Sequence, residues 1–95
     1  MRLEDVIQKP LITEKAAKQR EVANEYFFAV HPQADKNMIR LAVEKFFGVK
    51  VVAVYTMHRR GKEKMFGKRR GRTSDWKKAI VKLRAKDTIK VFEGN

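Results

Sequence analysis

The chain contains no cysteine, which removes disulfide bridges, thiolate metal sites and a cysteine nucleophile together. Histidine is nearly as scarce, with two among 95 residues. His31 and His58 are far apart and have no carboxylate cluster beside them, so each is read as structural or surface, because a metal site needs several converging ligands. No cofactor and no metal are expected. No apolar run approaches the roughly 20 residues that span a bilayer, and no basic amphipathic helix stands out. The start, Met1-Arg2-Leu3-Glu4-Asp5, carries acids where a secretory signal would be apolar. These features predict a soluble intracellular protein without membrane insertion. Paired carboxylates, Ser-His-Asp orders and phosphate-cradling glycine motifs are missing as well. So short a chain also leaves little room for a deep cleft with supporting residues, and an enzyme is not expected.

Acids are the remaining scarcity. Eleven Asp and Glu stand against 23 Lys and Arg, giving a net charge of +12 and a pI near 10.3. A surface so unbalanced calls for a polyanionic partner, and nucleic acid fits better than a membrane. The charge is also concentrated. Between His58 and Arg72 lie Arg59, Arg60, Lys62, Lys64, Lys68, Arg69, Arg70 and Arg72, opposed only by Glu63, which leaves 15 bases against 10 acids elsewhere. An element that tracks a phosphate backbone needs such a cluster. Gly61, Gly67 and Gly71 lie in or beside the run and permit close backbone approach, while Met65 and Phe66 offer apolar contact or base stacking.

Hydrophobic content of 43% suffices for one modest core, and the whole chain, 1–95, is read as a single RNA-binding domain. Thr13 caps a helix from Glu14 to about Val22 that Asn24 ends. Glu25–Val30 reads as a strand, with Tyr26, Phe28 and Val30 on one face and Phe27 on the other. Asp35 caps a second helix in which Ile39, Ala42, Val43, Phe46 and Phe47 recur at helical spacing, and Gly48 stops it. From Val49 to about Arg60 the chain is β-branched with apolar residues on both faces, which suggests a central strand. Residues 61–73 lose apolar periodicity and are expected to form a long basic loop, about 59–73, between two strands. From Asp75 to Arg84 alternation returns, with Ala79, Val81 and Leu83 on one face and Trp76, Lys78, Ile80, Lys82 and Arg84 on the other. A short edge strand over Thr88–Phe92 closes the reading. The order predicts an α+β fold: a small antiparallel sheet with both helices on one face and the other face open and basic.

Several segments resemble one family, the large-subunit ribosomal protein of the L-twenty-three type. They are Lys9-Pro10-x-x-Thr13-Glu14-Lys15-Ala16 within Ile7 to Ala16, the aromatic strand Tyr26 to Val30, the passage Ala42 to Val54, Gly61-Lys62, Gly67, and Ser74-Asp75-Trp76-Lys77-Lys78-Ala79. The resemblance runs almost end to end. It implies a cytoplasmic ribosomal protein, one copy per ribosome, that binds large-subunit ribosomal RNA beside the exit of the peptide tunnel and touches neighbouring ribosomal proteins. The candidate RNA contacts are then Lys9, Lys36, Arg59, Arg60, Lys62, Lys64, Lys68, Arg69, Arg70, Arg72, Trp76, Lys77 and Lys78. It further implies that Thr13, Glu14 and Lys15 form a docking point for the chaperone trigger factor, with Glu14 at its centre, near the signal recognition particle and the protein-conducting channel. Bacterial relatives usually carry a base after the second Lys of the Gly-Lys-x-Lys pattern, where this chain has Met65 and then Phe66. The alternative is a free-standing RNA-binding regulator, although the aromatic strand motif of an RRM and an Arg-rich recognition helix are both missing.

Overall fold

The computed structural model describes residues 1–61, 63–66, 69–72 and 74–89, with 63–66 and 69–72 described by their backbone. A short 3-10 turn, Leu3–Asp5, precedes strand β1 (Ile7–Pro10), helix α1 (Glu14–Ala23), strand β2 (Glu25–Val30), helix α2 (Lys36–Phe47) and strands β3 (Val51–Arg59), β4 (Glu63–Phe66), β5 (Arg69–Arg72) and β6 (Trp76–Leu83). The main sheet has the order β1-β2-β6-β3, and β4 and β5 pair separately. All pairings are antiparallel. Thus β2 and β3, joined through α2, run parallel with β6 between them, a split β-α-β arrangement.

Both helices start where the sequence places them. Thr13 Oγ1 accepts from the Ala16 amide at 3.1 Å, and the Asp35 carboxylate accepts from the Met38 amide at 2.8 Å. Each satisfies an amide that the helix leaves without a partner. Gly48 ends α2 at φ +64, in the left-handed region that side chains other than Asn rarely enter. Asn24 ends α1 in the same region at φ 53. Its Nδ2 donates to the carbonyls of Arg84 at 2.9 Å and Asp87 at 3.1 Å, with a longer contact to Leu83 at 3.4 Å. Asn24 therefore clamps the end of α1 to the turn after β6. Asn24→Ala should lower stability by about 2 to 3 kcal/mol, from left-handed strain and lost hydrogen bonds, seen as a melting temperature about 10 °C or more lower. Asn24→Gly, which keeps the backbone relaxed, should cost less.

The core lies between the sheet and α2. Phe28, Val30, Ala79, Val81 and Leu83 meet Ile39, Ala42 and Val43 there, with Val6 and Ile89 closing its ends. Phe28 stacks on Phe47 at 5.9 Å between ring centres and 27° between planes. The alternation expected for β2 holds: Tyr26, Phe28 and Val30 enter this core, while Phe27 and Ala29 are buried on the opposite side.

Four expectations change. The two helices do not share a face. Ala16 of α1 is buried outside the α2 core, and Gln19 Nε2 donates at 2.7 Å to Glu25, which alternation sets on the Phe27 side of β2. The face expected to stay open is thus partly covered by α1. Second, β3 is an edge strand and β6 a central one. A bulge between Val51 and Ala53 leaves Val52 62% exposed, and Tyr55 looks out from the face opposite α2, so the apolar pattern of β3 does not report burial on both sides. Third, the described part of the basic segment is not an irregular loop but the paired ribbon β4–β5, in the register Glu63↔Arg72 to Phe66↔Arg69. Fourth, Ile7–Pro10 adds an unexpected strand, with Pro10 at its end on the sheet edge where a missing amide does no harm. Of the expected strand at Thr88–Phe92, Thr88 and Ile89 are not in a strand, and Lys90 to Phe92 lie outside the described residues.

Asp87 pins the turn after β6 to the start of β3. Its carboxylate accepts from the Lys50 amide at 2.6 Å and from Arg84 Nε at 3.0 Å. The amide hydrogen bond, with help from Arg84, holds this carboxyl below its ordinary range. A folded-state pKa below the unfolded one stabilises above the unfolded pKa, and that stability is lost as pH falls through the folded value. Thermal melts across pH should therefore show a flatter acid limb for Asp87→Asn, along with lower stability near neutrality.

Candidate nucleic-acid interface

Antiparallel register decides which side chains share a face, because residues directly opposite each other point the same way. Lys9 pairs with Ala29, Ala29 with Lys78, and Lys78 with Met57. One row across all four strands therefore reads Lys9, Ala29, Lys78, Met57. The neighbouring row toward the ribbon holds Trp76 opposite Arg59, and the row on the other side holds Phe27, Ile80 and Tyr55. This is the face away from α2. Gln8, Lys9, Leu11, Ala29, Ser74 and Trp76 line a shallow depression on it, about 430 Å³ in volume. Trp76 is half-buried at its rim and Arg59 is exposed.

At the centre, Lys78 extends over the Phe27 ring with Nζ 4.1 Å from the centroid, a cation–π contact that favours the ammonium. Its pKa is nevertheless lowered, first by desolvation and then by the positive charges of Arg59 and Lys15. Lys15 comes from the first turn of α1, so that helix brings a further base to the sheet. From the sequence, Lys15 belongs only to the Thr13-Glu14-Lys15 segment; its nearness to Lys78 depends on α1 folding across the sheet, and no local pattern signals it.

The structure brings together Lys9, Arg59, Trp76 and Lys78 from the expected contacts and separates others from them. Lys77 points to the α2 side of β6 and donates to the Ala34 carbonyl at 2.7 Å. Lys36 opens α2 and borders a groove with Arg40 and Val52. Arg60 is exposed after β3. The backbone of Lys64 lies in β4 and that of Arg69, Arg70 and Arg72 in β5, whereas Lys62 and Lys68 lie outside the described residues. The ribbon is anchored at its base where Asp75 accepts from the Gly61 amide at 2.8 Å. The molecule measures 50 × 30 × 20 Å with a radius of gyration of 14.6 Å, against about 12 Å for a compact chain of this length, so its mass is drawn out along one axis. Thr13 and Glu14 are exposed at the start of α1. Among the described residues no group of three or more His, Cys, Asp or Glu is placed to hold a metal ion, and no helix is long and apolar enough to cross a membrane.

Fold and surface together define a small basic α+β protein whose sheet face away from α2 gathers Lys9, Arg59, Trp76 and Lys78. The ribosomal protein L23 family matches residues 5–91. A large ribosomal subunit protein uL23 from Symbiobacterium thermophilum is 55% identical over 95 residues, covering 99% of each chain. The uL23 of Anaeromyxobacter dehalogenans is 49% identical over 92 residues, 97% of this chain and 95% of its own, and that of Thermotoga neapolitana is 49% identical over 97% of this chain and 91% of its own. The chain belongs to the ribosomal protein L23 family; it is a structural component of the cytoplasmic ribosome and not an enzyme.

Proposed function

We propose that the protein is built as a single copy into the large ribosomal subunit, binds large-subunit ribosomal RNA near the peptide tunnel exit, and presents Glu14 to factors that meet the nascent chain. The observation that carries the RNA reading is the gathering of Lys9, Lys78 and Arg59 on one sheet face with Trp76, continuous with the base of the basic ribbon. Bases beside a half-buried aromatic serve phosphate contact and base stacking at once. Lys62, Lys64, Lys68, Arg69, Arg70 and Arg72 extend the same charge along the chain, and the resemblance of this segment to its family supports a path toward the tunnel. Crosslinking the protein to large-subunit RNA tests the reading. Crosslinks should map to Lys9, residues 59–72, Trp76 and Lys78, and a pattern confined to α2 would overturn it. Pelleting with large subunits in moderate salt separates a ribosomal component from a free regulator, which would wash off.

For the factor side, the support is an exposed acid at the first turn of α1 in a protein of net charge +12. Such an acid is a local mark that a basic partner surface can read. Glu14→Ala should weaken co-pelleting of trigger factor with assembled ribosomes by roughly fivefold or more, about 1 kcal/mol, while subunit assembly is unchanged. Equal pelleting would remove Glu14 from the docking site.

A further inference from the structure

We infer that Lys15, Lys78 and Arg59 form a discrete phosphate site over the Phe27 ring, so that the first turn of α1 holds RNA through Lys15 while presenting Glu14 outward. The inference rests on the RNA-binding reading and extends it to a residue otherwise grouped with factor docking. Three elements supply the three cations. Lys78 stands at the centre of the four-stranded row, with Nζ 4.1 Å from the Phe27 centroid. Arg59 pairs with Trp76 on the adjacent strand and is therefore diagonal to Lys78 on the same face, a separation of about 7 to 8 Å between such positions. Lys15 precedes Ala16, which α1 buries outside the α2 core, and Gln19 of the same helix bonds Glu25 on the Phe27 side of β2. This sets the first turn of α1 on the side of the sheet that carries Lys78, and the Lys15 charge is among those that lower the Lys78 pKa.

Among the described residues the salt bridges join Arg2 to Glu4 and Asp5, and Arg84 to Asp87, and none neutralises any of the three. Lys78 is partly buried while Arg59 and Lys15 are exposed. Like charges gathered about a partly desolvated ammonium are unfavourable for the free protein, and an anion placed among them relieves the repulsion. The aromatic floor blocks water from below and fixes the Lys78 ammonium, so the anion approaches from the open side. A phosphodiester fits better than the carboxylate of an acidic peptide. The site continues into Trp76 and the base of the ribbon, and this charged row beside an aromatic matches a backbone with bases rather than one acidic side chain. Lys15 and Glu14 are consecutive in the first turn of α1, so a phosphate held by Lys15 also fixes the turn that carries Glu14.

The test measures binding of the full chain to deproteinised large-subunit ribosomal RNA as a function of KCl, for wild type, Lys15→Gln, Lys78→Gln, Lys45→Gln and the double variant Arg69→Gln/Arg70→Gln. Lys45 lies on α2, on the other side of the sheet, and controls for loss of one charge. Lys15→Gln and Lys78→Gln should each flatten the log–log salt slope by about 0.7 to 0.9 and weaken binding several-fold, with Lys45→Gln close to wild type. In parallel, NMR of the lysine ε-positions should show the Lys78 titration moving back up when inorganic pyrophosphate is added to wild type, and less so in Lys15→Gln. If Lys15→Gln matches Lys45→Gln in both assays while the double variant still loses RNA, the phosphate site is wrong and the RNA reading stands. If wild type shows no salt-dependent RNA binding but pyrophosphate still shifts Lys78, the RNA reading fails and the anion is not RNA. A shift caused by an acidic peptide but not by pyrophosphate would overturn the site as a phosphate site.

Discussion

Raising KCl from 50 to 200 mM is expected to weaken binding of this protein to large-subunit ribosomal RNA by about 300- to 1,000-fold. The figure follows from counterion release: if about six of the bases in and beside the ribbon meet phosphates, the log–log slope is about −4 to −5. Eight bases lie between His58 and Arg72 with one acid among them, so six contacts use only part of the supply. Arg69→Gln with Arg70→Gln should lower the slope magnitude by about 1.5 and cost roughly tenfold or more in affinity at 100 mM salt. Filter binding or fluorescence anisotropy at five or six salt concentrations reads both quantities. A slope shallower than about −2, or an affinity unmoved by the double variant, would remove the ribbon from the RNA interface.

The second large effect is on folding. Phe28→Ala is expected to cost about 3 to 5 kcal/mol, enough to leave a 95-residue protein largely unfolded at 37 °C, since chains of this size have little stability in reserve. Phe28 is 0% exposed, lies on the central part of the sheet and stacks on Phe47. Its removal opens a cavity bounded by strands on one side and α2 on the other, and neither can collapse without disturbing the β2–β6 register. Urea titration followed by circular dichroism measures the loss. Val52→Ala, at a 62% exposed position on the bulged edge strand, should stay within about 0.5 kcal/mol of wild type. Similar losses for the two variants would mean that the core is not where the register places it.

Much of the scaffold was legible from local patterns. Asp35, the 3.6-residue spacing of Ile39, Ala42 and Val43, and Gly48 are all local signals, and α2 forms between them. The two-residue alternation of Tyr26, Phe28 and Val30, and of Ala79, Val81 and Leu83, likewise named the core face of β2 and β6. Local reasoning failed where the partner was distant. Four residues ending in Pro10 carry no periodicity, and they become β1 only because β2 offers a free edge. The apolar residues of β3 suggested a central strand, yet it is β6 that returns from the far end of the ribbon to lie between β2 and β3. Lys, Arg and Gly favour strands weakly, so the segment after Arg59 read as a loop, whereas β4 and β5 pair across it. Helix α1 buries only Ala16, too small an apolar stripe to say which face of the sheet it would cover.

The candidate site divides in the same way. Composition by itself determined that the protein is basic, that the excess charge sits between His58 and Arg72, and that cysteine chemistry is excluded, because these are sums over residue types and need no geometry. The quoted motifs determined the family, as the matches over residues 5–91 bear out. Only the tertiary structure decided that Lys9, Arg59, Trp76 and Lys78 share a face while the adjacent Lys77 turns to the Ala34 carbonyl on the other. It alone sets α1 on the Phe27 side of the sheet, where the charge of Lys15 helps to lower the Lys78 pKa. Strand alternation sends consecutive side chains to opposite sides, and strand order sets neighbours that are tens of residues apart in the chain. Which charges add their fields at one point is therefore a property of the folded sheet, not of the order of residues along it.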